Sequence, residues 1–274
     1  MVLTTAITKD MFSIFLINIT VPIIAGIVYF IMAFEVRKVG KIRQIIFGEI
    51  GYRKVFDAFI LFGIYFLTRP LQNIIGQHPW PMVVNCLRQF FLMAVISPAI
   101  LISIFYLDSD EDELPRIFKI ASYSVGFLMA LIFILVNIAA IDNARVIASF
   151  SGLKLYDAVW FGSGPQKIEL VLIHLVSQLI SPVGFFILSV VIVRHRRHNY
   201  PPNSIYNQMP LKWKYLETGL EIFIISMVAA GFAALFGHYY TYLWVIYFIG
   251  AIISGLMELK SVKIPPRTTP KDLK

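Results

Sequence analysis

The sequence predicts an all-α integral membrane protein, a seven-transmembrane helix bundle with its N-terminus outside and its C-terminus inside. Three observations carry that reading. The chain of 274 residues is 58% hydrophobic and only 15% charged, against about 25% charged in ordinary soluble domains. Its apolar residues lie in continuous runs of membrane-crossing length, not in short core segments. Its basic residues collect in loops that a seven-span plan places on one side.

A helical span needs roughly 20 mostly apolar residues. Seven segments qualify, approximately 11–34, 56–75, 82–106, 117–140, 168–193, 215–236 and 239–259. Barrel strands would alternate over about ten positions, whereas these runs are unbroken. The first run lacks a basic leader and is too long for a signal core, so it reads as a retained span. One transmembrane domain therefore covers 1–264, followed by a short cytoplasmic tail, 265–274. Pro22, Pro70, Pro98 and Pro182 fall inside four spans, where each removes a donor and can kink an otherwise mostly continuous helix. "AAGFAA" in span six and "GAIISG" in span seven offer small surfaces for close helix packing.

Orientation follows from the loops. Arg37, Lys38, Lys41, Arg43, Arg53 and Lys54 lie between spans one and two. Arg194, Arg196, Arg197, Lys212 and Lys214 lie between spans five and six, and Lys260, Lys263, Arg267, Lys271 and Lys274 end the chain. On the opposite side the 76–81 and 237–238 turns hold no basic residue and the long 141–167 loop holds only Arg145, Lys154 and Lys167, so the more basic side is expected to be cytoplasmic. The acidic loop "DSDEDE" shares that side and is expected to bind the basic loops or a basic partner surface. The longest outer loop, 141–167, mixes apolar and polar residues and is expected to be a surface-lying helix or a cap over the bundle, ended flexibly by Gly162 and Gly164.

The candidate site starts from "LTRPLQNIIGQHPWPMVVNCLRQFF". Arg69 and Arg88 sit on neighbouring spans, each about seven residues and so roughly 10 Å below the outer boundary. Guanidinium groups at that depth either snorkel upward as anchors or meet polar partners. Partners are available at the same depth: Gln72 and Asn73 one turn past Arg69, Asn85 and Gln89 around Arg88, Asn18 and Thr20 in span one, Asn137 in span four. In span five, His174, Ser177, Gln178 and Ser181 repeat at helical spacing and form one stripe that should avoid lipid. Tyr247 is the deeper aromatic of span seven, where His238, Tyr239, Tyr240, Tyr242 and Trp244 suggest an interface belt before a binding wall. The inner halves of the helices are poorer in such groups. The ligand-binding candidates are thus Arg69, Arg88, Gln72, Asn85, Gln89, Asn137, His174, Gln178 and Tyr247, lining a pocket open to the outside. Interhelical hydrogen bonding without any ligand uses the same residue types. Asp57, Glu217, Glu221 and Glu258 lie near inner helix ends, where they are expected to pair with Lys212, Lys214 or Lys260.

No nucleotide-loop, metalloprotease or serine-hydrolase motif occurs, and the five histidines are not spaced for a metal. A non-enzyme without cofactor or metal is expected. Cys86 is the single cysteine, so no internal disulfide forms. The net charge of +8 belongs to cytoplasmic loops, not to nucleic-acid binding. The plan resembles, in topology only, seven-helix N-out receptors and the seven-helix sensory modules of bacterial signalling proteins. "DRY" is absent from the inner end of span three and "NPxxY" from span seven.

The expected function is a sensor or receptor-like protein of the plasma or bacterial inner membrane. It binds a small polar or anionic ligand in the outer half of the bundle and signals through a protein partner on the cytoplasmic side or in a membrane complex. A secondary transporter or channel-like carrier, and a non-catalytic accessory subunit of a membrane complex, are the alternatives. The loop charges generate a direct test of orientation. A cysteine introduced by Ser163→Cys should react with an impermeant thiol reagent on intact cells, and one introduced by Asn203→Cys should not. Labelling at position 203 would overturn the orientation.

Overall fold

The computed structural model describes residues 13–47, 52–107, 115–150, 152–160, 168–199, 208–236 and 242–264. The acidic loop, Gly162, Gly164, His238 to Tyr240 and the tail lie outside these residues. Among the described residues, six helices are long and apolar enough to cross a membrane: Ser13–Ile42, Tyr52–Ile74, Trp80–Tyr106, Arg116–Ala139, Leu172–His198 and Leu243–Lys263. A seventh helix, Met209–Phe236, packs between the last two of these. It starts at Met209, earlier than the expected 215, and Met209, Lys212 and Trp213 in that added stretch are buried. We number these seven helices one to seven in chain order and keep the word span as the label for each, the Met209–Phe236 helix included.

The spans close into a ring. Span one packs on two and seven, two on three, three on four and five, five on six, and six on seven. Aromatic side chains from four spans, one, two, five and six, meet at its centre. Phe62 lies 5.2 Å from Tyr29 and 5.3 Å from Phe223, which in turn is 4.8 Å from Phe186. Outward-facing Ile31, Leu135, Val191 and Ile225 are exposed on the bundle surface, as suits a surface solvated by lipid tails.

Small residues set the closest approaches. A Cβ on Gly250 of span seven would overlap Ser226 of span six. One on Gly255 would meet Met32 and Tyr29 of span one. The "GAIISG" expectation therefore holds, whereas Gly231 of "AAGFAA" faces open space.

The spans are less continuous than the sequence suggested. Leu16–Thr20, Phe91–Ile96 and Leu179–Gly184 are π-helical, and each has a proline within it or two residues beyond it. The cause is the missing proline N–H, which a local widening of the helix accommodates. In the i→i−5 register of Phe91–Ile96, the donor to the Met93 carbonyl would be Pro98. Ser181 Oγ of span five donates to Met93 O instead, at 2.9 Å. Span five breaks at that same residue. Ser181 has φ −143° and ψ 122°, the extended conformation favoured before proline. The predicted stripe from His174 to Ser181 thus runs across a break, not along one helix.

The loop after span four is neither a helix nor irregular. Ile141–Phe150 (β1) and Leu153–Trp160 (β2) form an antiparallel hairpin, with Gly152 at φ 84° in its turn. Ala148 and Leu155 are buried against Ile19 of span one, so the cap half of the expectation is met by a hairpin. We call this the hairpin end of the bundle and the opposite one the basic end.

Span four packs on span three through Gly126. A Cβ there would lie 2.5 Å from Met93 O and 2.9 Å from Pro98 Cγ. Backbone and a proline ring cannot yield cheaply, so Gly126→Ala should cost about 1–3 kcal/mol. Gly231→Ala, with nothing within 4 Å of its Cβ, should not lower stability. Denaturation of the purified variants in detergent measures both, and equal stabilities would remove this packing argument.

Candidate functional site

Both arginines turn inward. Arg69 and Arg88 are each 5% exposed, so neither snorkels to the surface as an anchor. Span two presents Arg69, Gln72 and Asn73 to the interior because they share one helical face, while Leu71 and Ile74 face outward.

Arg69 Nη2 donates to Asn18 Oδ1 at 3.0 Å, and the guanidinium lies over the Trp244 ring, 5.0 Å from its centroid. Asn18 is itself fixed by donating to Ile14 O at 2.9 Å. Trp244 thus serves as a wall against Arg69, beyond its expected belt position. Arg69 Nε has no hydrogen-bond partner among the described residues, and no described carboxylate pairs with this side chain.

Arg88 reaches across to span two. Its Nη1 donates to Gln72 Oε1 at 2.7 Å, and its Nε to Tyr65 O at 3.5 Å. Its guanidinium also lies 4.7 Å from the Tyr65 ring centroid. The Tyr65 hydroxyl in turn accepts from Tyr247 OH at 3.4 Å. Span seven thereby joins the same group.

Asn85 Nδ2 donates to Asn137 Oδ1 at 3.3 Å, linking spans three and four. Asn137 Nδ2 donates to Phe133 O at 2.6 Å. His174 of span five is buried with its ring 4.8 Å from that of Phe133. Asn73 Nδ2 donates to Tyr156 O of β2 at 2.8 Å, which fastens the hairpin over this end. Asn73 Oδ1 has no partner among the described residues. Gln89 and Gln178 are only half-buried and join no side-chain hydrogen bond within the described set.

Seven of the nine candidates are therefore buried in the hairpin half: Arg69, Gln72, Asn85, Arg88, Asn137, His174 and Tyr247. Sequence reasoning missed Tyr65 and the hairpin carbonyl of Tyr156. A backbone acceptor carries no sequence signal. The hairpin did carry one, since two runs flank the Ser-Gly pair at 151–152 with apolar residues at alternating positions near it.

The basic end corrects two further expectations. Polar groups are not scarce there, because Lys212, Glu217, Glu258 and Ser261 are all buried. Nor, among the described residues, do Glu217, Glu221 and Glu258 take Lys212, Lys214 or Lys260 as partners. Glu217 accepts from Arg194 Nε at 2.8 Å and forms an ion pair with Arg197 Nη1 at 2.6 Å, and Glu221 accepts from Arg194 Nη2 at 2.8 Å. Lys212 Nζ donates to Tyr52 OH at 3.4 Å, and Glu258 accepts from Ser254 Oγ at 3.1 Å. Arg196 caps span three, donating to Ile104 O at 3.0 Å, Phe105 O at 2.9 Å and Leu107 O at 2.7 Å. These are carbonyls that a helix end leaves without intrahelical donors. Among the described residues no cluster of histidine, cysteine and carboxylate groups could hold a metal.

Comparison of the chain with protein-family models, characterised proteins and solved structures finds no match. Any functional reading therefore rests on the geometry.

The Asn85–Asn137 bond predicts a small but measurable coupling. A double-mutant cycle of Asn85→Ala and Asn137→Ala in detergent unfolding should give about 0.6 kcal/mol and at most about 1.7 kcal/mol. Zero coupling would mean that the two amides do not share the bond in the folded protein.

Proposed function

We propose that this multi-pass membrane protein is a non-catalytic, receptor-like sensor for a small anionic ligand, taken up under the hairpin beside Arg69 and Arg88. The observation that carries this reading is Arg69. On insertion scales a guanidinium costs about 2.5–3.5 kcal/mol at the centre of a span and less at the shallower depth of Arg69. Here it is buried, faces no described carboxylate and keeps Nε unsatisfied. A fold that needed only interhelical bonds would be served by a neutral amide at lower cost. An anion would supply the missing charge and the missing acceptor together.

In this reading the hairpin end is outside and the basic end faces the cytoplasm. Span five links the two. Its break at Ser181 touches Met93 of span three, and its far end holds Glu217, Glu221 and the carbonyl end of span three. A tilt of the hairpin half of span five is then passed to the basic surface, where a protein partner reads it. The broken span also favours a second reading, a transporter, since discontinuous helices line the binding sites of many carriers. Uptake of a bound anion into vesicles would decide for the carrier.

The sensor and carrier readings share one requirement, guanidinium groups that meet the anion. With acetate, sulfate and phosphate as probes on purified protein, at least one should raise the melting temperature. Arg88→Lys should lose that shift, because lysine keeps the charge but not the fork. Lys154→Ala, on the exposed face of β2, should keep it. An unchanged shift in Arg88→Lys would remove the binding role of this arginine.

A further inference from the structure

Two buried atoms on one face of span two remain without partners among the described residues: Arg69 Nε, a donor, and Asn73 Oδ1, an acceptor. They belong to side chains four residues apart, which a helix stacks one turn above the other, with Cβ atoms about 5–6 Å apart. Both side chains are already oriented by their other atoms. Arg69 is pinned by Asn18 Oδ1 at 3.0 Å and by the Trp244 ring at 5.0 Å. Asn73 is pinned by the Tyr156 carbonyl of the hairpin at 2.8 Å. Asn73 is fully buried and Arg69 is 5% exposed. A buried polar atom left unpaired is expensive, and a fixed donor beside a fixed acceptor specifies what would satisfy both.

Resting on the anion reading above, we infer that the site selects a small carboxylate bearing an adjacent hydrogen-bond donor, the class of 2-hydroxy and 2-amino acids. The carboxylate accepts from Arg69 Nε, where charge assists the bond. The neighbouring hydroxyl or ammonium group donates to Asn73 Oδ1. The Trp244 ring, 5.0 Å from the guanidinium carbon, supplies no acceptor for Nε. A simple anion satisfies only Arg69 and leaves the amide oxygen desolvated and unpaired. Discrimination therefore comes from Asn73, and affinity for any anion from the arginines.

The test compares acetate, glycolate and glycine on the same purified protein, with the melting-temperature shift titrated to an apparent Kd. One added hydrogen bond predicts that glycolate or glycine binds roughly three- to tenfold tighter than acetate. Asn73→Leu should remove that preference, so that acetate, glycolate and glycine give equal apparent Kd values. Equal affinities of all three probes for the wild-type protein would overturn this inference while the anion reading stands. No response to any of the three, with an ordered water alone bridging the two atoms, would overturn the inference. Failure of sulfate and phosphate as well would overturn the anion reading beneath it. The wild-type comparison needs no variant, so a destabilising effect of Asn73→Leu cannot obscure the result.

Discussion

Inside a bilayer every polar group that leaves water must be satisfied by the protein itself, and the rest of this structure is arranged around that constraint. The prolines show it first. Pro98 offers no N–H, the helix widens before it, and Ser181 of another span donates to Met93 O. One missing hydrogen thus fixes the contact between spans three and five. At the end of span three, Arg196 gathers three carbonyls that have run out of helix.

Charge is handled differently at the two ends. At the basic end Arg194 and Arg197 meet Glu217 and Glu221 directly, and Lys263 meets Glu35 at 2.9 Å. Arg194 is about half exposed, so its own contribution to stability is screened and small. At the hairpin end the described partners of Arg69 are an amide and an aromatic ring. Such partners satisfy hydrogen bonds and polarise favourably but bring no opposite charge. The asymmetry separates an ion-pair clamp at the basic end from the place of the proposed site. The hairpin reinforces it, since its contact to Asn73 orders one of the two residues that would meet a ligand.

Much of the bundle was legible in the chain. The apolar runs gave six helices of membrane-crossing length, and Arg69, Gln72, Asn85, Arg88 and Asn137 were legible as interior residues because charge and amides at that depth cannot face lipid. Gln89 and Gln178 were equally polar but fell toward the rim of their helical faces, half-buried. Depth alone could not separate them from their neighbours, because a face is set by which helix lies opposite. The carboxylate partners were misassigned for the same reason. Sequence distance favoured Lys212 and Lys214 for Glu217, yet span five brings Arg194 and Arg197 alongside it.

The sequence by itself determined the spans, the concentration of polar side chains around two arginines and the small residues of span seven. These follow from local composition and helical period, which need no knowledge of neighbours. Tertiary structure alone decided that Arg88 takes Gln72 and the Tyr65 carbonyl, that Arg69 lies on Trp244, and that the loop after span four folds as a hairpin onto Ile19 and Asn73. Each of these pairs residues from separate spans or uses a backbone oxygen. Backbone acceptors are the same at every position of the sequence, and only the packed ring of helices selects which of them a buried donor can reach.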